Sequence, residues 1–347
     1  MTSVGVPATA RARADAGPER GPAASPWLPR APCTPESCLA DPGQAVAGVR
    51  RAVRWFTAAT VLLVGIVLSP PARRCSAARR DRLTARWCRA VVLAFGVRIE
   101  VIGGEGDGPV RVPGGALVVA NHVSWLDVPL LASVRPGRNL AKSEVGAYPV
   151  LGPLAARGAT IFLERDRLRA LPGTVAEMAG ALRAGSTVVA FPEGSTWCGG
   201  VYGRFRNAVF QAALDAGAPV RPVRIRYRLR TPAGTRTASA AAFVGDDTLL
   251  ASLRRVVAAR GLVAEVTVLP PLPLAARRDR GALARAAQVA VAGEEAAGGV
   301  PAGEAGPYGI HAPLHTSPTA ATGGGSAVPL ARTPPDPDEG RNAVLRS

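Results

Sequence analysis

The stretch "ALVVANHVSWLD", residues 116–127, joins an apolar pentapeptide to a histidine at 122 and an aspartate at 127. Five consecutive small or branched apolar residues read as a short strand buried on both faces, as in parallel sheets. With the strand ending at Ala120, Asn121 and His122 fall in a strand-to-helix turn and Asp127 in the first turn of the following helix. Inside one helix, five steps of about 100° would leave the two side chains about 140° apart, too divergent to pair. A turn instead lets the carboxylate fold back toward the imidazole. Two roles then fit: a general base held in one tautomer by a carboxylate, or a helix cap with an acidic first turn. These residues alone leave both open.

Working outward, further strands are predicted at "VRIEVIG" (97–103), "RNLAK" (138–142), "TIFLE" (160–164), "TVVAF" (187–191), "VRPVRIRY" (220–227) and "AEVTVL" (264–269). Helical stretches fall between them near 168–183, 207–216 and 248–260. The Gly-rich "GGEGDGPVRVPGG" (103–115) reads as a solvated turn, because it lacks the strand-to-helix context of a dinucleotide fingerprint. Alternation of this kind predicts an α/β fold, a largely parallel central sheet flanked by helices. The strand "TVVAF" runs into Pro192, Glu193 and Gly194, so a second polar cluster emerges at a strand's carboxyl end. Open α/β sheets bind ligands at such ends.

The flanking segments differ in character. Residues 1–47 mix Pro, Ala, Gly and Arg without a sustained apolar period and read as a disordered arm. Trp55 to Ala72 carries no charge, with Arg50, Arg51 and Arg54 before it and Arg73 and Arg74 after. That length approaches what a spanning helix needs, and the basic collars favour a membrane location for a helical region over 48–97. Arginine is denser on the C-terminal side, which by the positive-inside rule places the following domain, 98–275, in the cytoplasm. Beyond it, 276–347 is rich in Ala, Gly and Pro and reads as a low-complexity, disordered tail.

Lys and Arg total 42 against 25 Asp and Glu, a formal charge of +17. Solvated surface and an anionic membrane both fit that charge. With only 5% aromatic residues and no basic stripe interleaved with rings, nucleic acid is not an expected partner. The five cysteines are scattered without paired metal-ligand spacing, so no metal is expected and a reducing setting fits. Of three histidines, His311 and His315 lie in the tail. His122 is the one in the part expected to fold.

Four blocks in order, "NHVSWLD", "GATIFLER", "FPEGST" and "APVRPVRI", together with "AKSEVGAYPVLGPLA", resemble the glycerolipid acyltransferase family that includes the bacterial 1-acylglycerol-3-phosphate acyltransferases. The resemblance covers roughly residues 50 to 270. It implies that His122 deprotonates an acceptor hydroxyl, which attacks the thioester of acyl-CoA or acyl carrier protein directly. Asp127 would orient the base, and Arg165 would bind the acceptor phosphate through its planar fork. Asn121, Glu193, Gly194 and Ser195 would contact substrate, with Glu193 and Gly194 positioning the glycerol phosphate. Lys142, the chain's single lysine, is either an ordinary strand-end cation or a phosphate or CoA contact.

No cofactor is implied, since a base and a thioester leaving group suffice, and chelator is expected to leave the chemistry intact. No GxSxG elbow is present, and Cys198 has no second folded histidine to activate it, so a covalent nucleophile is not expected. The third block departs from the family: where Thr-Arg commonly follows the glycine, "STWCGG" stands here, removing an arginine that Arg204 or Arg206 could replace. The expected product is phosphatidic acid from lysophosphatidic acid, at the cytoplasmic face of the membrane and in contact with membrane lipids. A lyso-ornithine lipid is the alternative acceptor. A non-enzymatic anionic-lipid-binding protein is the remaining rival, indifferent to His122 but strongly salt-dependent.

Overall fold

A computed structural model describes residues 31–39, 43–72, 74–103, 115–147, 151–164, 167–274 and 279–293. The elements in chain order are α1 (Pro35–Cys38), α2 (Gly48–Ala72), α3 (Ala77–Ala94), β1 (Arg98–Ile102), β2 (Ala116–Ala120), α4 (Asp127–Val134), β3 (Arg138–Lys142), α5 (Leu151–Arg157), β4 (Ile161–Leu163), α6 (Leu171–Arg183), β5 (Thr187–Ala190), α7 (Ala208–Ala216), β6 (Val220–Thr231), β7 (Gly234–Thr237), α8 (Leu249–Ala258), β8 (Leu262–Val268) and α9 (Arg280–Ala292). Eight strands form one sheet in the order β1-β8-β6-β2-β5-β3-β4, with β7 paired to β6. The block β6-β2-β5-β3-β4 is parallel, and β8 turns antiparallel against β6. The sheet is therefore largely parallel and flanked by helices, as the alternation predicts.

β2 shows why the sequence folds this way. Leu117 and Val119 point to one face, where they join Met178 and Leu182 of α6, Phe210 of α7 and Leu283 of α9. Val118 and Ala120 point to the other, among Val92 of α3, Leu130 of α4 and Val256 of α8. Every residue of the strand is buried, so an unbroken apolar run is what a central strand covered on both faces requires. Its carboxyl end then delivers Asn121 and His122 beside the end of β5 and the middle of β6.

Two expected boundaries are corrected. The tail expected from 276 begins instead with α9, which docks Leu283, Ala284, Ala287 and Val291 at helical spacing and is capped by Asp279 accepting from the Ala282 N–H at 2.8 Å. The arm expected through residue 47 ends earlier: Cys33 and Val46 are buried, and backbone bonds join Val46 to Ala258 and Arg260 to Gln44. In α9 small alanines share the packed surface with Leu283 and Val291, and in the N-terminal segment isolated Cys33 and Val46 supply it, so neither stretch shows a sustained apolar run. Residues 1–30 and 294–347, including His311 and His315, lie outside the described residues, as does most of the 103–115 turn.

α2 is the one helix among the described residues long and apolar enough to cross a membrane, with mean hydropathy 1.8 over its best window. Its base is docked on the domain. Arg54, 8% exposed, donates to the carbonyls of Val257 (2.7 Å) and Ala259 (2.8 Å) at the end of α8, where a cation also meets the negative end of the helix dipole. Farther along, Leu63, Val64, Val67 and Leu68 are exposed, an apolar stripe that water would not favour. α3 returns alongside, with Trp87 Nε1 donating to the Val61 carbonyl at 2.8 Å.

Candidate active site

The turn after β2 is built by its own polar side chains. Asn121 continues the β2–β6 ladder in place of a backbone unit: its Nδ2 donates to the Ile225 carbonyl (2.9 Å) and its Oδ1 accepts from the Ile225 N–H (2.8 Å). At 1% exposure the side chain has no face toward a ligand. What the structure gives Asn121 is a place in the ladder, as the partner of the Ile225 backbone.

His122 Nδ1 lies 2.9 Å from Asp127 Oδ2. The same oxygen accepts from the backbone N–H groups of Val123 (2.6 Å) and Ser124 (2.8 Å), and Oδ1 accepts from the Tyr227 hydroxyl (2.7 Å). Asp127 is fully buried, with its side chain folded back onto the turn and α4 lacking a side-chain cap. Of the two roles left open by the residues, the helix cap is therefore not what is formed. A buried carboxylate surrounded by donors accepts the Nδ1 proton, which leaves Nε2 with the lone pair. The imidazole stacks on Phe191 with centroids 4.1 Å apart, which limits its rotation.

Glu193 holds this turn from below. Its Oε2 accepts from the His122 N–H (2.6 Å) and its Oε1 from the Gly203 N–H (2.9 Å), while the His122 carbonyl accepts from the Trp197 N–H (2.7 Å). The third block thus grips the first through the backbone. Glu193 is 2% exposed with both oxygens occupied by backbone N–H groups, so in this structure its carboxyl group holds the turn that carries His122. Gly194, next in the chain, adopts φ +74, a turn that glycine enters without strain.

Burial pushes the Glu193 carboxyl up to about 8, against the pull of the two backbone N–H donors and with a further push from Asp127. A raised folded value means that the native state binds the proton more tightly than the unfolded chain. The Glu193 contribution to stability is then complete below its ordinary 4.5 and is lost as pH climbs through about 8. Thermal unfolding of the purified protein should show Tm falling between pH 5 and pH 8 in wild type. Glu193→Gln, which does not titrate and lacks one acceptor, should start lower but follow a flatter profile. Parallel profiles would assign the pH dependence to another group.

His122, Gly194, Ser195, Lys142 and Arg206 line one open groove of about 2810 Å³, whose apolar wall includes Trp87 of α3. Asn121, Asp127 and Glu193 stand behind that surface. Arg204 is exposed outside the groove, and Arg165 lies outside the described residues. Sequence reasoning missed Tyr227 and Phe191 as partners of the pair. For Tyr227 a signal exists: Val223, Ile225, Tyr227 and Leu229 alternate inward along β6, and a phenol among buried apolar neighbours needs a partner for its hydroxyl.

Comparison with known proteins identifies the family and the fold. The acyltransferase family profile matches residues 102–226. A lyso-ornithine lipid O-acyltransferase of Pseudomonas aeruginosa is 38% identical over 214 residues, which span 61% of this chain and 78% of that protein. A 1-acyl-sn-glycerol-3-phosphate acyltransferase of Neisseria meningitidis is 35% identical over 204 residues, 59% of this chain and 77% of its own. The crystal structure of the 1-acyl-sn-glycerophosphate acyltransferase PlsC from Thermotoga maritima superposes with a TM-score of 0.51 at 18% identity, covering 73% of this chain and 96% of that one, and so shares the fold. With this motif order, this fold and these relatives, the chain belongs to the glycerolipid acyltransferase family and is an acyltransferase.

Proposed function

We propose that the protein acylates 1-acyl-glycerol-3-phosphate, making phosphatidic acid, with acyl-CoA or acyl carrier protein as donor. The observation that carries the mechanism is the 2.9 Å contact of His122 Nδ1 with buried Asp127 beside an open groove. Nε2 takes the proton of the acceptor hydroxyl as its oxygen attacks the thioester carbonyl. The tetrahedral intermediate collapses, the C–S bond breaks, and the departing thiolate takes the proton back from the imidazolium. No acyl-enzyme forms and no cofactor takes part.

Lys142 and Arg206, both on the groove that His122 lines, support a phosphate-bearing acceptor. Arg165 would add to them. The exposed apolar stripe of α2 supports a membrane location, and the arginines that follow it support the cytoplasmic face. A second reading, a lyso-ornithine lipid acceptor, is favoured by Thr196, which stands where the third block commonly carries a phosphate-binding arginine, and by the lyso-ornithine lipid relative of Pseudomonas aeruginosa.

An acceptor panel separates the two. Membranes containing the protein, given labelled acyl-CoA or acyl carrier protein, should transfer to lysophosphatidic acid at least tenfold faster than to lyso-ornithine lipid, about 1.4 kcal/mol of discrimination. The reverse order would replace the acceptor and leave the chemistry at His122 in place.

A further inference from the structure

The five cysteines look scattered along the chain, yet the fold gathers three of them. Cys33 stands just before α1, Cys38 ends it, and Cys198 sits in the loop that follows Gly194; all three sulfur atoms lie within 4.8 Å of one another. The segment carrying the first two is stiff for its size. Thr34 and Ser37 form a reciprocal capping box, Pro35 starts the helix, and the Cys38 N–H bonds the Thr34 carbonyl at 3.0 Å. Cys33 and Cys38 are thus presented from one helical turn as a preformed pair.

Cys198 arrives from the opposite side, on a loop turned by Gly199 at φ +85. Its sulfur is met by the thiols of Cys33 and Cys38 and by the backbone N–H groups of Gly200 and Val201. Tetrahedral thiolate coordination at about 2.3 Å sets sulfurs about 3.8 Å apart, so the three need to close by no more than about 1 Å. Three thiols fit a metal better than a disulfide, which would use two and strand the third.

We propose that Cys33, Cys38 and Cys198 bind a thiophilic divalent ion of the zinc class, with the fourth position open to water. Soft thiolates select such ions over magnesium or calcium. The site would tie the N-terminal segment to the loop whose Trp197 N–H holds the His122 carbonyl, more than 150 residues away along the chain. It is a structural clip, separate from the proton transfer at His122, and each thiol that becomes a ligand releases its proton to solvent.

The test uses the purified full chain, reduced and stripped with chelator. Cobalt(II) should bind stoichiometrically, with thiolate charge-transfer and tetrahedral d–d absorption that zinc(II) abolishes. The bands should vanish in Cys198→Ser and persist in Cys75→Ser. In wild type alone, zinc(II) should protect the partly exposed Cys38 and Cys198 from alkylation and leave Cys75 reactive, a readout that does not depend on a variant folding. Zinc(II) should also raise Tm. No cobalt spectrum, a spectrum unchanged in Cys198→Ser, or a disulfide joining Cys198 to Cys33 or Cys38 in untreated protein would each overturn the proposal.

Discussion

His122→Ala is expected to abolish acyl transfer, lowering the rate by roughly 10²–10⁴-fold on every acceptor and donor, the range a positioned general base contributes. The imidazole is the only group in the turn placed to accept the hydroxyl proton among the described residues: Asp127 and Glu193 are buried behind it with their oxygens occupied. Stability should change much less. The side chain is 20% exposed, and the bonds that hold the turn use the backbone N–H and carbonyl of residue 122, which alanine retains. Loss of the Phe191 stack amounts to about 0.5–1.5 kcal/mol. Radiolabelled transfer by membranes, read beside thermal unfolding of the purified variant, separates the two effects. A folded His122→Ala protein with wild-type rates would sink the base and restore the rival binding-protein reading.

What could be seen in the sequence follows from how local the cause is. β2 was legible because burial on both faces dictates an unbroken apolar run, and the turn after it because strand end and helix start confine residues 121–127. The partners of that turn were not, since Tyr227 and Glu193 arrive from 100 and 66 positions beyond Asp127 and only the sheet order brings β5 and β6 to either side of β2. At Asn121 and Glu193 a further cause operates. A polar residue at a strand's end looks like a ligand contact, but a sheet edge also leaves backbone groups in need of partners, and both side chains were recruited to satisfy them. α9 and the Cys33 segment escaped because alanine and cysteine bury well without making a strong periodic signal. The three-sulfur cluster joins positions so far apart that no spacing rule reaches it.

Asp127→Asn tests the carboxylate as opposed to the turn. The amide oxygen can take the place of Oδ2, keeping the Val123 and Ser124 N–H bonds, while its NH₂ meets the Tyr227 oxygen, whose hydroxyl also neighbours Ser124. The fold should therefore survive, with Tm lowered only modestly. Transfer should not survive to the same degree. A neutral amide cannot offset the imidazolium that forms as Nε2 takes the proton, and the reverse orientation of the amide would point N–H at Nδ1 and leave the ring in the wrong tautomer. The expected loss is roughly 10²–10⁴-fold in kcat with little change in KM, because Asp127 touches no substrate. Since the residue acts through His122, the double variant His122→Ala/Asp127→Asn should be no slower than His122→Ala alone. Additive losses in that cycle would mean that Asp127 serves the reaction by some route other than the imidazole. A fully active Asp127→Asn would reduce the carboxylate to a former of the turn, leaving His122 a base that needs no orienting partner.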